Sequence, residues 1–145
     1  YNYLGGWLGK EGRDEQALPF LRRAVEMDPN LDHAHTNLAQ VMLNLGDVQG
    51  ALRHSERAVR LAPNRMKVQL ARGNALLMAE QFTAAERAFE RAIRLDPTAW
   101  RPYYNLGQLY MVQGDAARAR AQYRQALRLS PGNPRVLAML RRIGG

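Results

Sequence analysis

Three histidines and no cysteine are the chain's main means of doing chemistry: His33, His35 and His54 in 145 residues. A metal needs several converging ligands, and a nucleophile needs a base with a third group to orient it. His33 and His35 stand two apart, so on a helix they point in different directions and chelate one ion poorly. No carboxylate pair lies near them in sequence, and Glu56 and Glu90 sit 34 residues apart on what reads as solvated helix surface. The glycines fall singly, not as a phosphate-cradling loop after a strand. The expectation is a chain that is not an enzyme, with no catalytic residue, no metal ligands and no cofactor. His35 falls at a packing position and is expected to be buried or half-buried.

Composition narrows the classes further. A hydrophobic share of 46% with 7 prolines and 12 glycines suits a folded domain and not a disordered tail. The absence of cysteine removes disulfides and thiol chemistry and leaves the redox compartment open. No apolar run is long enough to cross a membrane, so no membrane insertion is expected. Residues 1–15 lack the basic start and apolar core of a signal peptide. That leaves the compartment open, with the cytoplasm as default; the chain reads as starting in mid-repeat. Basic residues outnumber acidic ones by 21 to 13, and 19 of the 21 are arginine, the others being Lys10 and Lys67. Such a surface attracts acidic proteins, anionic lipid or nucleic acid. Alternatively, the arginines solvate outer helices while their stems cover apolar surface.

The elements that must carry these residues are set by a period. Pro29, Pro63, Pro97 and Pro131 recur every 34 residues. Ala17, Ala51, Ala85 and Ala119 share one register position, and Ala24, Ala58, Ala92 and Ala126 another. Between them fall Leu21, Ser55, Phe89 and Tyr123. A further position reads Gly5, Ala39, Gly73 and Gly107, preceded by Leu4, Leu38, Arg72 and Leu106. Apolar and small residues at three- and four-residue spacing, as in Ala116, Ala119, Tyr123, Ala126 and Leu127, predict amphipathic helices. Two alternate in each period. The first, A, spans roughly 34–45, 66–79 and 100–113, with a truncated copy before 11. The second, B, spans roughly 15–28, 48–61, 82–95 and 116–129. Gly12, Gly46 and Gly114 stop helix A, Glu80 holds the equivalent place, and Asp47 and Asp115 are candidate N-caps. Pro19 falls inside the first helix B and predicts a bent or loosened turn there.

These positions resemble the tetratricopeptide repeat family, whose aromatic, Leu-Gly, Tyr, Ala, aromatic, Ala and Pro signature spans one such period. The last full copy reads Tyr103, Leu106, Gly107, Tyr110, Ala119, Tyr123, Ala126, Pro131. The second departs at His35, Ala39, Met42 and Ser55, and the third at Gln69 and Arg72, which predicts looser packing or re-aimed side chains there. The resemblance implies an all-α, right-handed solenoid of antiparallel helix pairs over 1–145. Its repeats would be 1–31 (truncated at the start), 32–65, 66–99 and 100–133, with a capping or partial fifth-repeat helix over 134–143.

In that family, helix A residues face a concave surface that holds protein or peptide ligands. The matching positions here are His33, Thr36, Asn37, Gln40 and Asn44, then Lys67, Leu70, Asn74, Leu77 and Met78, then Arg101, Tyr104, Asn105, Gln108 and Met111. Amides can pair with an extended peptide, while Lys67 and Arg101 suit carboxylates. The lysine–asparagine–arginine clamp of one subtype is incomplete. One frame gives Asn2, Gly6, Asn37, Lys67 and Ala71, and the next gives Thr36, Gln40, Ala71, Arg101 and Asn105. The implied function is a protein-interaction scaffold with a protein or peptide partner, acidic and C-terminal peptides remaining open as ligands. Alternatives are the substrate-recognition arm of a larger enzyme or a basic nucleic-acid-binding solenoid. Nucleic acid is disfavoured because most arginines, such as Arg60, Arg94 and Arg128, fall on helix B, partly matched by Glu56, Glu86 and Glu90. Tyr1, Tyr3, Leu4 and Trp7 form an apolar end suited to self-association.

Overall fold

The computed structural model describes residues 1–144. Among them are nine helices and no strand: α1 (Asn2–Lys10), α2 (Asp14–Met27), α3 (Asp32–Asn44), α4 (Val48–Leu61), α5 (Met66–Met78), α6 (Phe82–Leu95), α7 (Trp100–Val112), α8 (Ala116–Leu129) and α9 (Pro134–Ile143). Each odd-numbered helix from α1 to α5 packs on the helix that follows it and on the next odd helix, and α7 packs on α8, so the pairs stack in order. The result is an all-α helical solenoid. No described helix is long and apolar enough to cross a membrane.

Small residues make the pairing close. A Cβ added to Gly73 would stand 2.5 Å from the Phe89 ring, and one added to Gly107 would stand 2.6 Å from the Tyr123 ring. The missing side chain on one helix therefore admits the large one on the next. Phe89 and Tyr123 are fully buried against these glycines, and Leu21 in the same way against Gly5. The second copy exchanges the sizes, with Ala39 opposite the small Ser55, both at 0% exposure. Arg72 reaches into that region from α5, donating from Nη1 to the Leu52 carbonyl at 3.0 Å and to Ser55 Oγ at 3.2 Å. Burial pushes the Arg72 pKa down, and Glu56 partly opposes this. The departures at 55 and 72 are thus re-aimed contacts rather than looseness.

Local chemistry ends the helices at the stops expected from the sequence. After α3, Gly46 N–H donates to Leu43 at 3.0 Å and Asp47 N–H to Met42 at 2.8 Å, the paired bonds of a Schellman turn. Gly46 has φ +86°, which a glycine adopts without strain. After α5 the same bonds form around Glu80, which holds φ +61° despite its side chain. Asp47 and Asp115 cap α4 and α8, accepting from Gly50 N–H at 2.9 Å and Arg118 N–H at 3.0 Å. Pro19 does not interrupt α2, which runs unbroken from Asp14 to Met27. Proline removes one bond to the carbonyl of Glu15, and both residues are exposed, so water can serve that carbonyl instead. At the far end, α9 buries Val136 and Leu140 in the cluster that holds Tyr123 and Ala126.

Candidate functional site

The odd-numbered helices line one continuous groove of about 1490 Å³. Every inward-facing position read from the sequence contributes to its wall: His33, Thr36, Asn37, Gln40 and Asn44 from α3, Lys67, Leu70, Asn74, Leu77 and Met78 from α5, and Arg101, Tyr104, Asn105, Gln108 and Met111 from α7. Asn2, Tyr3 and Trp7 extend it along α1, and Arg135, Met139 and Arg142 along α9.

The amides are not independent of one another. Asn105 Nδ2 donates to Asn74 Oδ1 at 2.6 Å, and Asn74 Nδ2 donates to Gln40 Oε1 at a longer 3.5 Å. Gln40 Nε2 then donates to Asn44 Oδ1 at 3.0 Å, and Asn44 Nδ2 to Asp14 Oδ1 at 3.1 Å. Four bonds run in one direction from α7 through α5 and α3 to a carboxylate on α2. A separate bond joins Asn37 Nδ2 to Asn2 Oδ1 at 3.1 Å. Each interior amide of the chain spends one N–H and one lone pair on its neighbours, and an amide has two of each. One donor and one acceptor per side chain therefore remain for a ligand, and the neighbours fix where they point. Asn105 is only 9% exposed, so it acts more as an anchor for Asn74 than as a free contact. Thr36 is similarly occupied, its hydroxyl donating to the Asp32 carbonyl at 2.8 Å.

A second network stands beside Arg101. Gln108 Nε2 donates to the Tyr104 hydroxyl at 3.2 Å, and the buried Tyr123 hydroxyl donates to Gln108 Oε1. Burial, then the neighbouring Tyr104, pushes the Tyr123 phenol up, which keeps it a neutral donor. Trp100 packs edge-on to Tyr104, and the Arg101 guanidinium lies 4.7 Å from the centre of the Trp100 ring. Burial, then Arg135, pushes the Arg101 pKa down.

The histidines divide as their register implied. His33 is exposed at the groove edge, while His35 is buried on the other side of α3. His35 Nε2 lies 2.8 Å from the Pro29 carbonyl, which can only accept, so that nitrogen donates. In the neutral pair, His35 Nδ1 is then the acceptor for His54 Nδ1–H, 3.0 Å away. Burial, with His35 next, brings the His54 pKa down to about 4. Gln69, at the equivalent position of the next copy, repeats the contact through Nε2 to the Pro63 carbonyl at 2.8 Å. These polar residues thus tie helix A to the turn before it. Among the described residues, no group of three or more potential metal-binding side chains converges.

The outer helices differ from the expected pairing in detail. Glu56 pairs with Arg60 at 2.8 Å, but Glu86 instead accepts from the Tyr110 hydroxyl at 2.9 Å. Glu90 forms no ion pair among the described residues. Tyr110 accounts for the change at Glu86: its buried ring carries a hydroxyl that needs an acceptor, and its pKa is pushed up to about 12 by burial and then by Glu86. The two glutamates still interrupt the arginine row on α6.

The tetratricopeptide repeat family matches residues 10–75 and again residues 70–134. This chain is a tetratricopeptide repeat protein. Solved tetratricopeptide repeat structures superpose over nearly all of it. The thermophilic tetratricopeptide repeat protein TTC0263 of Thermus thermophilus is 24% identical with a TM-score of 0.89, over 97% of this chain and 78% of that one. The pilF protein of Pseudomonas aeruginosa is 26% identical with a TM-score of 0.84, over 99% and 65%. A chain of the APC/C hetero-tetramer Cut9–Hcn1 is 19% identical with a TM-score of 0.87, over 99% and 29%. At these identities the likeness is one of fold. Curated proteins yielded no match. Tetratricopeptide repeat proteins serve in general as scaffolds that bind other proteins.

Periodicity located the groove positions of α3, α5 and α7, but not the contributions of α1 and α9, nor Asp14, nor the bonding among the amides. Asp14 was missed because it opens a B helix, outside the positions that the period assigns to the inner face. The bonding among amides was missed because a repeat fixes which residues are neighbours, not which donates to which.

Proposed function

We propose that this chain holds an extended segment of a partner protein along the groove of its odd-numbered helices. The observation that carries this reading is the directed amide chain from Asn105 to Asp14. An extended peptide offers N–H and C=O groups at regular intervals, and prearranged amides meet them with little ordering left to do. Leu70, Leu77, Met78, Tyr104 and Met111 add apolar surface between the amides, where a partner's side chains would be buried. The repeats would divide at 31/32, 65/66 and 99/100, with α9 closing the last one.

A random peptide library displayed on phage and selected on the parent chain tests the reading. Selected peptides should lose binding when Gln40, Asn74 and Gln108 are changed to alanine and keep it when the outer Arg91 and Arg94 are changed. Binding that survives the groove changes and is lost with the outer ones would overturn the groove as the site.

A further inference from the structure

The groove is electrically lopsided. One register position, on the N-terminal turn of each odd helix from α3 onward, holds His33, Lys67, Arg101 and Arg135. The same wall gains Arg142 from α9, Arg65, which pairs with Asp32, and Lys10 from α1, while its acidic residues are Asp14, the terminus of the amide chain, and Glu80. Positive charge therefore gathers over α5, α7 and α9.

Lys67, Arg101 and Arg135 are badly placed for helix stability. A helix N-terminus carries partial positive charge, so a lysine or arginine there is repelled and a carboxylate is favoured. The first turns of α2 and α3 follow the rule with Asp14, Glu15 and Asp32. The first turns of α5, α7 and α9 contain no acidic residue. The outer arginines Arg60, Arg94 and Arg128 stand at helix C-termini, where the same physics explains them without a ligand. Arg142, in the last turn of α9, shares that explanation, and Lys67, Arg101 and Arg135 do not. Ion pairs among the described residues are Arg23–Glu26, Arg60–Glu56, Arg65–Asp32 and Arg118–Asp115, so Lys67, Arg101, Arg135 and Arg142 have no acidic partner there. The Arg101 guanidinium is held against Trp100 and Arg135 repels it, so a negative charge placed there would relieve both cations.

We infer that the α5–α9 half of the groove takes the side-chain carboxylates of an acidic, extended peptide. The inference rests on the groove reading above and adds the partner's chemistry. Cations distributed one per repeat match single charges along a strand better than the clustered charge of a phosphate group. Leu70, Leu77, Tyr104 and Met111 lie in the same groove, so acidic residues alternating with apolar ones fit it best. A nucleic-acid strand would bring its backbone phosphates against Glu80.

The test uses fluorescence anisotropy with a short labelled peptide in which glutamates alternate with leucine and serine. Its counterparts carry glutamine or phosphoserine in place of glutamate, and an oligothymidine serves as the nucleic-acid probe. The glutamate peptide should bind the parent at least about tenfold tighter than each of the others, and added salt should weaken it. Arg101→Gln with Arg135→Gln should remove that preference, and Arg101→Glu with Arg135→Glu should remove binding, both with unchanged circular dichroism. Arg91→Glu with Arg94→Glu should leave binding as in the parent. No measurable binding of the glutamate peptide overturns the inference. Equal binding of glutamate and glutamine peptides, both weakened by Gln40→Ala and Gln108→Ala, overturns it while sparing the groove. Loss of binding on the outer change alone overturns both readings. Tighter capture of the phosphoserine peptide or of oligothymidine overturns the assignment to carboxylates.

Discussion

Arg72 on α5 donates to the hydroxyl of Ser55 on α4 at 3.2 Å, joining two residues that each depart from the repeat pattern. The other copies have leucine at the first position and Leu21, Phe89 or Tyr123 at the second. The bond makes the two departures depend on each other. Ser55→Ala should destabilise the parent by about 1–2 kcal/mol, because a half-buried guanidinium loses an acceptor. In an Arg72→Leu background the same change should be close to neutral. Urea denaturation of the four proteins reads the coupling, expected at about 1–2 kcal/mol; additive effects would mean that the contact contributes nothing.

The close helix crossings set a limit on volume. Gly107→Ala improves intrinsic helix propensity by about 1 kcal/mol, yet its Cβ would stand 2.6 Å from the Tyr123 ring. Overpacking should win, with a net loss of about 1–2 kcal/mol in thermal or urea unfolding. Tyr123→Leu should make the alanine better tolerated. A more stable Gly107→Ala protein would show that the ring yields freely.

Glu80 occupies the left-handed turn position that Gly12, Gly46 and Gly114 hold in the other copies. A side chain there costs about 1–2 kcal/mol, and glycine returns part of that gain through its freer unfolded chain. Glu80→Gly should raise stability by about 0.5–1 kcal/mol, measured by the urea midpoint. An unchanged or lower midpoint would assign Glu80 a compensating contact.

The histidine pair makes stability depend on pH. The ordinary value of His54 is 6.5, and in the folded chain it titrates at about 4, with Arg53 and Arg22 adding to the depression and Asp47 opposing it. Between those values the unfolded chain binds the proton and the folded chain does not. Stability is therefore complete above about pH 6.5 and falls as the pH drops toward 4. Solvent screening of a half-buried ring limits the loss to about 1–2 kcal/mol. Melting temperatures across this window should fall in the parent and flatten in His54→Gln; an equal slope in both would assign the effect to carboxylates.

Much of this architecture could be read from spacing. Prolines every 34 residues and paired small and large residues fix the helix order, because a solenoid repeats its packing as well as its sequence. The register also put His33, Gln40, Lys67, Asn74, Arg101 and Gln108 on one wall. What spacing did not carry was compensation between copies. Ser55 and Arg72 read as separate flaws, since their contact crosses from one repeat to the next. Asn105 read as a free contact because burial depends on how tightly α5 and α7 approach. Pro19 read as a bend, although an exposed proline near a helix start leaves only one solvated carbonyl to satisfy.

The groove itself is tested most directly by following backbone and side-chain amide resonances while selected peptides are added to the isotopically labelled chain. A peptide-holding groove predicts shifts in the side-chain NH2 signals of Gln40, Asn74 and Gln108 and in the backbone of α3, α5 and α7. The arginine-bearing faces of α4, α6 and α8 should remain unmoved. Shifts confined to those outer faces, with the inner amides silent, would contradict it.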